Sequence, residues 1–165
     1  MTHEPPAAKD MTVAQLLAQV CRLSRHHLHC QMEKIGLHRG QGFVLIRLLH
    51  SDGLPQHELA RSMHISPAAV TNVLQRMEKN GWIERRRDSD DQRIVRTFVS
   101  PKGKQLGEDA IRAFRETEDE LHLVYTEEEE AMFKRLLMKL YEHYAPGDPP
   151  PSHLWRLFHS GKESS

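Results

Sequence analysis

Two cysteines in 165 residues leave little room for disulfide chemistry. Cys21 and Cys30 lie nine positions apart in a stretch without Gly or Pro. On one helix that separation is about 13.5 Å, well past the roughly 7 Å a disulfide spans. No apolar run approaches the roughly 18 residues of a membrane-spanning helix. The opening MTHEPPAAKD carries acids and prolines and no apolar core, so it does not read as a secretory signal. A cytoplasmic chain without a membrane partner is expected. No internal repeat is visible, no Cys-x-x-Cys pair occurs, and no tyrosine precedes Tyr125.

Formal net charge is zero, but the charges are segregated. Residues 54–104 hold ten Lys/Arg against six Asp/Glu, and residues 105–145 hold five against eleven. A basic middle beside an acidic helical segment suits a polyanionic partner for that middle third.

Residues 12–35 carry apolar positions at helical spacing, with Thr12 as N-cap and Gly36 as the stop. Phe43, Val44, Ile46, Leu48 and Leu49 predict a second helix over about 39–51, ended by Ser51-Asp52-Gly53. Leu54-Pro55-Gln56 then opens a short helix to about His64, with Leu59, Ala60 and Met63 inward. Ser66-Pro67 is a strong helix start, with Ser as N-cap and Pro at the first helical position, and Gly81 closes the helix. Its inward face is Val70, Leu74 and Met77. WIERRR (82–87) and QRIVRTFV (92–99) alternate as paired strands around an acidic turn. Ser100-Pro101 starts a helix to about His122, and Thr126 with Glu129 forms a capping box for a last helix striped by Met132, Phe133, Leu136, Leu137, Leu140 and Tyr144. A proline-rich segment follows, in which HLWRLFH has the pattern of one more turn.

The fold class is therefore mainly α with a small β-wing: a winged helix-turn-helix flanked by long helices. Its expected parts are a disordered tail (1–10), a dimerisation helix (11–35), the DNA-binding domain (36–104), two dimerisation helices (105–145) and a C-terminal extension (146–165). In the second helix of the tandem, small residues after the cap let the helix start approach a phosphate backbone. Ser66, Pro67 and Ala68 fill that role, while Thr71, Asn72, Gln75 and Arg76 are suited to base edges, with Arg favouring guanine and Asn or Gln adenine. Arg86, Arg87 and Arg93 make a basic hairpin that reaches phosphates or a minor groove. Asp91 beside them makes sense if it holds Arg87 or Arg93 in place.

The run from Gly36 to Leu106 resembles the MarR family of bacterial regulators. The residues that carry the likeness are Gly36-Leu37, Gln41, Glu58-Leu59-Ala60, ISPAAVTNVLQRMEKNGWIERR (65–86), Asp91 and Arg93, and VSPKG (99–103). Trp82 stands where the family more often has Leu or Tyr, and Val99-Ser100 departs mildly from its Leu-Thr. The resemblance implies a homodimer, with first and last helices intertwined, that binds a palindromic double-stranded operator. It also implies a repressor released by a small phenolic or aromatic carboxylate effector.

The cluster SRHHLHCQME (24–33) remains to be placed. His26, His29, Cys30 and Glu33 share one helical face, a spacing a zinc site would want, and some relatives in the family sense zinc or oxidants. A reactive Cys30 would need a cation such as Arg22, Arg25 or a protonated His beside it. Plain packing is the bland reading. In the family, the crevice between the dimer helices and the winged domain holds the effector, and Arg25, His26, His29, Cys30, His38 and Arg39 lie where it would open. Hydroxylated benzoate- or pyridine-carboxylate-like ligands are the leading expectation. No catalytic residue, resident metal or cofactor is expected. A metal-dependent enzyme and a ligand-free architectural DNA binder are the competing classes.

Overall fold

The computed structural model describes residues 7–38 and 40–147, the side chain of Leu121 excepted. After a 3-10 turn at Ala8–Asp10, helix α1 spans Val13–Lys34. Thr12 caps it through a reciprocal box, its hydroxyl accepting from the Gln15 amide while Gln15 accepts from the Thr12 amide. Gly36, at φ +79°, turns the chain back so that Leu37 is fully buried. Helix α2 (Gln41–His50) is apolar on most sides and buries Val44, Leu45, Ile46 and Leu48. Strand β1 (Leu54–Pro55) leads into α3 (Gln56–Ser62) and α4 (Pro67–Lys79), then strands β2 (Ile83–Arg87) and β3 (Val95–Val99). Helices α5 (Pro101–His122) and α6 (Glu127–Tyr144) complete the described chain.

The predicted architecture stands, with one addition at the sheet. Leu54-Pro55 opens α3 as its sequence predicts, with Pro55 as N-cap, and is an edge strand as well, so the sheet has three strands in the order β1-β3-β2. Leu54 pairs with Thr97 and Pro55 with Arg96, both antiparallel. Proline lacks an N–H, which confines it to such an edge, and its φ of −60° starts α3 in the next residue. Residues 92–94, read as strand, belong to the wing turn instead. There the Ile94 amide donates to Asp91 O and the Asp88 amide to Ile94 O.

One core serves the whole winged domain. Leu37, Leu45, Leu48, Leu59, Val70, Leu74, Met77 and Ile83 all have essentially no exposed surface. Each such side chain contributes about 1.5–3 kcal/mol on burial. Helix α2 is the centre, packed on α5, α4 and β3. Helix α5 lies close because two of its positions are glycine. A Cβ on Gly107 would sit 2.7 Å from a Leu49 methyl, and one on Gly103 only 2.0 Å from the Trp82 carbonyl oxygen. That oxygen accepts from the Ser100 amide, and Ser100 Oγ accepts from the Gly103 amide while donating to Gly81 O. The Ser-Pro start of α5 is thus bolted to the end of α4.

Gly103→Ala is expected to destabilise the domain by roughly 2 kcal/mol or more, because the obstructing atom is backbone and cannot rotate away. Urea unfolding checks this, with the exposed Lys104→Ala as a near-neutral control.

Candidate nucleic-acid interface

Helix α4 begins as its sequence demands. Ser66 accepts from the Ala69 amide, Pro67 occupies the first helical position, and Ala68 is exposed. Below this start, Val70, Leu74 and Met77 anchor the helix to the core. The opposite face presents Asn72, Gln75 and Arg76, all exposed and without a side-chain hydrogen bond or ion pair among the described residues. Thr71 differs from them. It is half-buried, its hydroxyl donates to Pro67 O (2.8 Å), and it accepts from Gln56 Nε2 (2.5 Å). It therefore ties α3 to α4 within the helix-turn-helix.

The wing is organised by acids. Asp91 holds Arg93 through two parallel contacts of 3.0 Å and also accepts from the Arg93 amide. Of the two arginines that Asp91 was expected to hold, it holds this one; Arg87 donates to Gln92 O instead. The Arg93 guanidinium draws the Asp91 carboxyl below the usual carboxylate range, and the Arg93 pKa rises in return. Although its guanidinium is held by Asp91, Arg93 leaves 90% of its side chain exposed. Arg86 pairs with Glu84 and lies 5.3 Å over the Phe98 ring, a cation–π contact.

Sequence reasoning did not single out Asp88, yet the wing hangs on it. Its carboxylate is buried, accepts from Arg96 Nε, and also accepts from the amides of Asp90 and Asp91. The Arg96 guanidinium and then these two amides hold its pKa down, to about 2. Arg96 in turn donates to Gly53 O, which links the wing to β1. Asp52 continues the link by accepting from the Val99 and Gly53 amides. Glu78 at the end of α4 holds Arg85 of β2 through both its amide and its guanidinium. The Arg85 hydrogen bonds lower the Glu78 pKa. One signal was available: an Asp opening a hairpin turn commonly accepts from backbone amides two and three residues on. The long pair from Asp88 to Arg96 across the turn carried no local signature.

The α1 cluster divides into separate contacts. Cys30 Sγ lies 3.8 Å from His26 Nε2, whereas His29 and His38 approach Glu33 at 3.4 and 4.0 Å. Arg25 donates to the Cys21 carbonyl one turn back. His27, on another face, reaches Glu120 of α5 at 3.0 Å. Among the described residues no three His, Cys, Asp or Glu converge as metal ligands. Both cysteines are free thiols. Arg39 lies outside the described residues.

An exposed recognition helix, seated at its N-terminus by a Ser-Pro start and flanked by an arginine wing, defines a winged-helix DNA-binding regulator of transcription. The sequence profile of the MarR family matches residues 37–95. The chain is 34% identical to the HTH-type regulator YsmB of Bacillus subtilis over 83 residues, half of this chain and 57% of YsmB. Identity to the HTH-type transcriptional repressor Rv2887 of Mycobacterium tuberculosis is 28% over 134 residues, 81% of this chain and 96% of that protein. The Staphylococcus aureus MepR–DNA complex superposes with a TM-score of 0.72 at 25% identity, covering 81% of this chain and 99% of MepR. A crystal structure of MarR gives 0.68 at 25% identity over 85% of this chain and 95% of that one.

Because its folded-state pKa is depressed, Asp88 contributes stability that is complete above its ordinary value of 3.8 and is lost as pH falls through about 2. NMR of the wing amides across that interval is expected to show this acid limb, and Asp88→Asn to remove it. The same substitution is expected to weaken DNA binding several-fold without changing its salt dependence, since the buried Asp88 acts through Arg96 and the turn amides.

Proposed function

We propose that the protein is a dimeric repressor that binds a palindromic operator and leaves it on binding a small aromatic acid. The observation that carries the reading is the pre-organised wing. Arg93 is clamped by Asp91 yet almost wholly exposed, beside the unpaired Asn72, Gln75 and Arg76. Immobilising a guanidinium before binding lowers the entropy lost when it meets a phosphate. In this reading Ser66, Pro67 and Ala68 let α4 approach the backbone, Asn72, Gln75 and Arg76 read bases, and Arg86, Arg87 and Arg93 contact the flanking strand. Asp91 and Thr71 act as buttresses.

Dimerisation is supported by the helices outside the winged domain. Helix α6 buries no residue, and Met132, Phe133 and Leu136 on it are 40–50% exposed. Val13, Val20 and Leu23 of α1 are likewise open. Helices 11–35 and 105–145 meeting a second copy would cover these faces and set two α4 helices toward half-sites about 34–36 Å apart. The name of the Rv2887 relative, a repressor, agrees with repression as the direction of control.

For the effector, Arg25, His26, His29, Cys30 and His38 bring a guanidinium, three imidazoles and a thiol to the C-terminal half of α1 and the turn after it. A carboxylate is the ligand such donors hold by charge-assisted hydrogen bonds. Zinc and oxidant sensing draw on the same cluster. The split of its donors between Cys30 and Glu33 favours the organic acid over a metal, and leaves a metalloenzyme without a convergent site.

Titration of the protein with DNA from upstream of its own coding sequence is expected to show salt-sensitive, sequence-preferring binding. Absence of any preference over scrambled DNA overturns the reading. Arg76→Ala is expected to cost about 1–3 kcal/mol and relax specificity, whereas Arg93→Ala weakens all sequences and lowers the salt slope by about one.

A thermal-shift panel of hydroxybenzoates, pyridine carboxylates, zinc and peroxide tests the effector. An aromatic acid is expected both to raise the melting temperature and to release operator DNA. Release by zinc or peroxide alone reassigns the cluster.

A further inference from the structure

Between α3, the start of α4 and the wing lies a cleft of about 230 Å³. Ala60, Val70 and Ile94 line its apolar side, and Gln56, His57 and Arg93 its polar side. The polar groups are a carboxamide, an imidazole and a guanidinium, all able to donate hydrogen bonds to an oxyanion. Among the described residues no carboxylate lines the cleft. Arg93 gives Nε and Nη2 to Asp91, which leaves Nη1 for a partner. His57 is exposed and has no hydrogen bond or ion pair among the described residues.

Size and position decide what the cleft can take. Pockets for small organic ligands run to roughly 300–1,000 Å³, and this one is smaller. In the DNA-binding reading above, α4 enters a major groove and the wing reaches beyond its edge. The backbone strand at that edge must then cross between α4 and the wing, where the cleft opens. We propose that the cleft seats a backbone phosphate of that strand, and that protonated His57 is the contact through which DNA affinity depends on pH. The inference rests on the DNA-binding reading and is independent of the effector and of repression.

The charge of the cleft changes with one group. Arg93 stays protonated at every working pH, whereas an imidazole is the side chain that gains its charge between about pH 8 and about pH 5. On α3 the charged neighbours of His57 are Glu58, whose charge acts on Arg96, and Arg61 one turn on. From the wing His57 shares the cleft with Arg93, backed by Asp91, and from α4 with the uncharged Pro67 and Val70. Protonation adds a positive charge and a second N–H donor, so binding to a phosphate strengthens as pH falls.

Affinity for the upstream DNA is measured against salt at about pH 6 and about pH 8, in buffers without phosphate. The wild type is expected to bind about tenfold more tightly per protomer at the lower pH, with a salt slope steeper by about one. His57→Gln is expected to bind at both pH values as the wild type does at the higher, and His57→Lys as it does at the lower. His57 is exposed, so both variants are expected to melt with the wild type. A methylphosphonate scan of the strand at the groove edge is expected to find one position per half-site whose neutralisation removes the pH effect. A wild type without pH dependence, or a pH slope retained by His57→Gln, overturns the inference and leaves DNA binding intact. A pH effect that His57 carries but no strand position removes overturns the phosphate contact, and gives His57 to a free anion or to the protein itself. No preference for the upstream DNA at either pH fails the underlying reading, and the inference with it.

Discussion

The wing stands out from the protein because one carboxylate, that of Asp88, collects the groups that would otherwise leave the hairpin loose. It receives the Arg96 guanidinium and two turn amides, and Arg96 passes the restraint to the Gly53 carbonyl beside β1. A two-stranded ribbon is marginal by itself. Here the short third strand and this chain of charge-assisted hydrogen bonds convert it into a fixed arm. The acidic tip that looks out of place in an arginine-rich hairpin is thereby accounted for. Asp88 holds the turn from inside and Asp91 holds Arg93 at the outside, so the acids set the geometry of the cations.

The two ends of the molecule are built on opposite terms. The winged domain closes its own core around α2, with Leu45, Leu48, Leu59 and Leu74 fully buried. The long helices α1 and α6 leave large side chains open: Val13 at 76%, Tyr144 at 77%. In the proposed dimer, a domain with its own core could move as a unit relative to helices whose packing a second copy would complete. That division is what a regulator requires if an effector near α1 is to change the spacing of two recognition helices, because a small shift in the helical frame turns into a displacement of the whole wing.

Much of the local structure was legible before any coordinates. Thr12, Ser66 and Thr126 each cap the helix their side-chain chemistry predicts, and the 100–101 Ser-Pro start puts α5 within a residue of its observed limits. Capping works through groups three residues apart, so it leaves a mark in the sequence. The strand at Leu54-Pro55 went unread because two residues have no periodicity, and its partner is more than forty residues away. Asp88–Arg96 and Glu78–Arg85, eight and seven residues apart, were hidden for another reason: each pair joins two elements that only folding brings together. In the α1 cluster the sequence shows four ligand-type residues sharing one face, and the structure divides them, with Cys30 beside His26, and His29 and His38 near Glu33.

By itself the sequence determined the order of elements, their starts and stops, and the inward stripe of α4, since each rests on contacts between near neighbours or on short motifs. Only the tertiary structure decided which polar groups are spent within the protein and which remain for a partner. Thr71 read as a candidate for contact, yet Gln56 occupies it; Asn72, Gln75 and Arg76 stay open. The physical reason is that a hydrogen bond needs both partners at about 3 Å. Residues fifteen or forty positions apart acquire that distance only when the core folds and brings their elements together.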